Sequence, residues 1–124
     1  MAGEHQQFAV ATACVTATAA VNTGLTLTVT AAGASKYQHF TKFQFTRFVT
    51  ALAVATSVPI EITTTNLAGD PAFWIDSGAL AAGTESNLVL DFNPPLRSAA
   101  FDTNTTFVAP AQAQTRWRMA AWYF

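Results

Sequence analysis

The side chains able to attack a bond, move a proton or hold a metal are few in this chain and stand apart. Nucleophilic catalysis needs a Ser, Cys or Thr held by a base that a third group orients. The two histidines are His5, in a polar leading stretch, and His39, inside a strand-like run, and neither stands in a recognisable relation to Cys14, the single cysteine. Set among Ala and Thr, Cys14 is expected to be a small buried filler, and one cysteine allows neither an internal disulfide nor a cysteine metal cluster. Glu61, Asp70, Asp76, Glu85, Asp91 and Asp102 are scattered, without the close pairing of glycosidase acids or the density of a calcium loop. Gly69, Gly78 and Gly83 are isolated turn glycines and not a phosphate-cradling loop. Asn104-Thr105-Thr106 has the spacing of a glycosylation acceptor, but reads as a turn and the start of a strand. The expectation is a protein without catalytic residues, metal or cofactor.

Other side chains suggest contact more than turnover. Arg47, in phase with Phe45 and Val49, is expected either to reach the sheet edge or to pair with a carboxylate such as Glu61. His39 is expected as a core or subunit-interface histidine on the face that carries Tyr37 and Phe43. Trp74, flanked by Asp70 and Asp76, has the carboxylate-beside-aromatic pattern of a sugar site. Trp74, Trp122 and Phe124 are either core or a partner patch. Arg116-Trp117-Arg118 superficially resembles a single-strand nucleic-acid platform, yet no wider excess of positive charge supports it.

Composition narrows the surface. Only 10% of the 124 residues are charged and the formal net charge is −1, so a nucleic-acid partner is not expected. The surface must be covered by Thr, Ala, Ser, Asn and Gln, which are easily stripped of water and suit permanent contact with another protein. Residues 8–21 faintly resemble a signal peptide, but threonines interrupt the run and Met-Ala-Gly-Glu-His-Gln-Gln lacks a basic start. No stretch approaches the roughly 20 apolar residues of a membrane helix.

These side chains must be positioned by strands. Tyr37 to Thr50 is the most strand-like run: Phe43 and Phe45 share a face with Tyr37 and Val49, and Lys42, Gln44 and Thr46 take the other. Phe40 and Phe48 stand in the opposite phase, which implies a β-bulge near Thr41 or a second packed surface. Leu25, Leu27 and Val29 alternate with Thr26, Thr28 and Thr30; Val58, Ile60 and Ile62 form a second inward set, with Pro59 at an edge or just before pairing. Phe73-Trp74-Ile75 is a short strand; Leu88, Leu90 and Phe92 define another, which Asn93-Pro94-Pro95 is expected to end. Thr105 to Ala109 and Thr115 to Phe124 follow, the latter with Trp117, Met119, Ala121 and Tyr123 inward. Residues 1–24 form an extended arm or first strand, with Phe8 and Val10 as candidate contacts to a neighbouring subunit. Residues 25–124 form one domain. Roughly eight strands and no helix give an all-β antiparallel sandwich, most simply a jelly roll.

From Tyr37 onward the order of features resembles the small proteins that decorate or cement the heads of tailed phages. The resemblance is carried by His39-Phe40-Thr41-Lys42-Phe43, Arg47 followed by Thr50-Ala51-Leu52-Ala53, Pro59-Ile60-Glu61-Ile62-Thr63-Thr64-Thr65-Asn66-Leu67-Ala68-Gly69, Ala72-Phe73-Trp74, Pro95-Leu96-Arg97-Ser98 and the aromatic run Trp117 to Tyr123. It implies a non-enzymatic jelly-roll clamp on the outer surface of the virion head, made in the host cytoplasm, often trimeric, that bridges subunits of the major capsid protein. Residues 1–24 have no counterpart in that pattern. The alternative is a carbohydrate- or receptor-binding module of a phage fibre, tail or baseplate, using Trp74 and the loop from Asp76 to Asn87.

The final aromatic run belongs to the core on this reading. Deleting residues 117–124 is expected to abolish the folded state, read as loss of cooperative thermal unfolding by circular dichroism.

Overall fold

The computed structural model describes residues 13–56, 58–75 and 78–124, so the expectations placed on Phe8, Val10 and Asp76 lie outside the described residues. Eight strands are present: β1 (Ala13–Thr18), β2 (Leu25–Val29), β3 (His39–Val49), β4 (Ile60–Thr65), β5 (Phe73–Ile75), β6 (Glu85–Arg97), β7 (Thr105–Ala109) and β8 (Thr115–Tyr123). They form two four-stranded sheets in the orders β1-β8-β3-β6 and β2-β7-β4-β5, and every pairing is antiparallel. The pairs β4–β5, β3–β6, β2–β7 and β1–β8 are nested around one central hairpin, which is the connectivity of a jelly roll. No helix is found among the described residues.

Alternation in sequence becomes alternation in burial wherever one face of a strand meets the opposite sheet. Leu25, Leu27 and Val29 are buried and the threonines between them exposed; Ile60, Ile62 and Thr64 behave alike in β4, and Thr115, Trp117, Met119 and Ala121 in β8. Val58 departs from its expected inward set. It is 65% exposed, because pairing starts only at Ile60, after the proline that has no N–H to give.

The centre of the core is aromatic. Phe43 of β3 stacks on Phe107 of β7 with ring centroids 4.3 Å apart, and lies 5.4 Å from Phe45 and 5.9 Å from Phe73. Phe40 meets the same Phe107 edge-on at 5.7 Å. Phe43 and Phe107 therefore stack across the two sheets, and Phe40, Phe45 and Phe73 are each held by a contact to one of them. Trp117, fully buried, satisfies its indole N–H on the carbonyl of Pro110 at 2.9 Å.

For Phe40 and Phe43 to face the same core, β3 must change phase between them, and its register against both neighbours shifts between Phe40 and Lys42. Gln38 and Phe40 point inward before the bulge; Phe43, Phe45, Arg47 and Val49 do so after it. Tyr37 and His39 consequently lie on the outer phase, not with Phe43 as expected, and Phe48 is also outward and only half-buried.

The expected end of a strand at Asn93-Pro94-Pro95 is also corrected. β6 runs through the prolines to Arg97, resuming its pairing with Leu96 opposite Phe40 and Arg97 opposite His39, with a cis Asn93–Pro94 bond inside the excursion. β6 is an edge strand, and the prolines occupy its irregular stretch opposite the bulge of β3, where no ladder N–H is required of them.

One turn depends on a missing side chain. A Cβ on Gly24 would stand 2.8 Å from the backbone oxygen of Ala109, so the approach of the first loop to β7 requires glycine.

Phe43→Ala is expected to destabilise the fold by about 3–5 kcal/mol, with an unchanged denaturant m-value, in urea unfolding followed by tryptophan fluorescence.

Candidate functional site

The residues singled out in the sequence fall into three places. Phe43, Phe45, Arg47 and Trp117 are buried in the core. Arg47 is 1% exposed and does not reach the sheet edge; one of its partners is Thr115, whose Oγ1 accepts from Nε at 3.3 Å. Glu61 instead projects from the outer face of the opposite sheet, where its carboxylate accepts the indole N–H of Trp74 at 2.9 Å. Trp74 is 64% exposed on β5, its one polar atom already engaged.

Trp122, Phe124 and His39 lie on the outer face of the sheet β1-β8-β3-β6. His39 is half-buried and stacks on Phe124 at 5.1 Å, while the Lys42 ammonium sits 5.6 Å from the centroid of Trp122 and 3.7 Å from Asp91. Cys14, expected to be buried, is exposed. Val15 and Ala17 turn toward the core, so alternation sends Cys14, Thr16 and Thr18 outward. Among the described residues no group of three His, Cys, Asp or Glu could hold a metal ion.

Two surface features stand out, and neither was assembled from the sequence. The first is one end of the sandwich. Four loops, 19–24, 50–59, 78–84 and 110–114, meet there through backbone hydrogen bonds such as Asn22 N–H to Thr115 O, Thr50 N–H to Gln114 O and the reciprocal pair between Ala53 and Leu80. Their described residues include no Asp, Glu, Lys or Arg, and Leu52, Val54 and Val58 stand 69%, 74% and 65% exposed. The opposite end differs. Its loops carry Lys36, Asp70 and Asp102 and are tied together by Asn66, which accepts from Ala100 N–H at 2.8 Å and donates to Thr103 O at 3.1 Å. The run without charge through residues 50–59 is the signal available in sequence, and its small residues carry no period that would mark it.

The second is a trough of about 490 Å³ on the outer face of β1-β8-β3-β6. Its rows follow from the strand registers: Arg116 and Glu85 flank Phe48; Thr18, Arg118, Thr46 and Asn87 cross the sheet in line; Thr16, Ala120 and Gln44 form the next row. Ala120 makes the depression, because long side chains two positions away on either side of it, Arg118 and Trp122, rise from the same face. Thr46 Oγ1 donates to Asn87 Oδ1, and Asn87 Nδ2 donates to Glu85 Oε1 at 3.0 Å, which fixes that wall.

Comparisons with protein-family models, with curated proteins and with solved structures found no match to the chain. Strand order alone defines the chain as a jelly-roll sandwich.

Cys14 on the outer face of β1 is expected to react fully with a thiol reagent such as dithionitrobenzoate in native buffer, one thiolate per chain, at a rate changed less than about tenfold by denaturant.

Proposed function

We propose that this chain is a head-decoration protein of a tailed phage: a non-enzymatic clamp on the outer surface of the virion head that binds the major capsid protein and holds neighbouring shell subunits together. It acts as a homo-oligomer, with a trimer favoured. The observation that carries this reading is the loop end whose described residues carry no charge, with Leu52, Val54 and Val58 exposed on it. Apolar side chains on a surface without charges are cheap to desolvate, and the centres of protein interfaces are depleted in charge in the same way. The rigid β frame behind these loops limits the ordering cost of association. A standard interface needs about 800 Å² from each partner, within the scale of one end of a domain of this size, and a shell multiplies a modest contact over many copies. The resemblance in the sequence supplies the class of partner.

Purified chain is expected to co-sediment with expanded tailed-phage heads stripped of their own decoration protein. Leu52→Asp combined with Val54→Asp should weaken this at least tenfold while changing unfolding free energy by no more than about 0.5 kcal/mol, since both side chains are exposed. Absence of co-sedimentation by the parent chain, or undiminished binding by the double variant, would overturn the reading.

A further inference from the structure

The geometry points to the trough on the outer face of β1-β8-β3-β6 as a binding site for an acidic saccharide, one bearing a carboxylate on a sugar ring. This inference does not depend on the decoration role, and it places sugar binding on the opposite sheet from Trp74.

Three observations carry it. Arg116 and Arg118 stand two apart on β8, both exposed into the trough, and among the described residues neither guanidinium has a hydrogen-bond or ion-pair partner. Two unengaged guanidiniums on one wall, in a chain of net charge −1, are a local demand for an anion, and the planar fork of arginine matches a carboxylate. The floor and far wall offer what hydroxyls need. Gln44 and Asn87 present amides, Thr46 a hydroxyl, and Glu85 is held by Asn87 as an acceptor. Phe48 is half-buried between Arg116 and Glu85, giving an apolar face against which the C–H side of a ring can lie.

The shape agrees. A volume of about 490 Å³ lies in the range of small-ligand sites, and Ala120 leaves the floor open where any longer side chain would fill it. A polyphosphate or nucleic-acid strand fits less well, because Glu85 sits opposite the arginines and no array of exposed aromatic rings lines the trough. An added peptide strand would need an open backbone edge, whereas the trough lies over β8 and β3, both paired on each side.

The full chain, labelled with ¹⁵N, is titrated with glucuronic acid and with N-acetylneuraminic acid, and amide shifts are followed in two-dimensional spectra. Saturable shifts confined to β8, β3 and β6 around Arg118, Gln44 and Asn87 are expected, with glucose at least tenfold weaker. Arg116→Ala with Arg118→Ala should weaken binding at least tenfold. Ala120→Gln, which keeps both charges and fills the floor, should abolish it, and Trp74→Ala should leave it unchanged. The amide spectrum of each variant establishes that it is folded. No shift with either acid sugar overturns the assignment. So does equal binding of glucose, equal binding of inorganic phosphate at the same residues, or tighter binding of a thymidine oligonucleotide there.

Discussion

The fold depends on a change of phase in β3. A straight strand would present Phe40 and Phe43 to opposite faces, and one of two large rings would be left in water at a cost of roughly 2–3 kcal/mol. The bulge at Thr41 brings both inward, where Phe40 meets Phe107 edge-on and Phe43 stacks on it. Because β3 is paired on both sides, to β8 and to β6, the same irregularity is imposed on its neighbours. The prolines of β6 occupy the place it leaves. On the outer face, the same change of phase puts His39 beside Phe124 and, past the bulge, Gln44 and Thr46 on the trough floor.

Much of this was legible in the chain. Leu25 to Thr30 and Ile60 to Thr65 alternate without fault, and period-two patterning is the signal that burial on one face enforces. The conflict between Phe40 and Phe43 was also readable as a bulge, since two out-of-phase rings in one run have few other resolutions. Other positions were misread for identifiable reasons. The phase of the first strand was ambiguous because Ala, Thr and Cys differ little in size and polarity, so only pairing with β8 showed that Val15 faces inward and Cys14 outward. Asn93-Pro94-Pro95 looked like a terminator, as prolines do when it is unknown that the strand lies at an edge. The trough was invisible for a different reason: Arg118, Gln44 and Asn87 come from three strands far apart in sequence, and their adjacency exists only once β8 lies beside β3 and β3 beside β6.

The two loop ends of the sandwich differ in polarity. Charge is scarce and is spent mainly on one loop end and on the outer sheet face, where Lys42, Asp91, Arg97, Arg116 and Arg118 project. The described residues of the other end include no charged side chain and present alanine, threonine and exposed aliphatic groups. A protein that relied on uniform charge for solubility would not leave such an end bare. The asymmetry gives the molecule a direction: an end suited to adhesion, and a flank whose side chains are fixed by strand geometry and remain suited to recognition.

The nested pairing also governs when the structure can form. β8 lies in the interior of its sheet between β1 and β3, so that sheet has a gap through its middle until Thr115–Tyr123 are available. Ala13 pairs with Tyr123, nearly the whole chain away, and such distant partners make closure slow. During synthesis on the ribosome, therefore, β1 and β3 lack the strand that lies between them until β8 has emerged, and this sheet closes late.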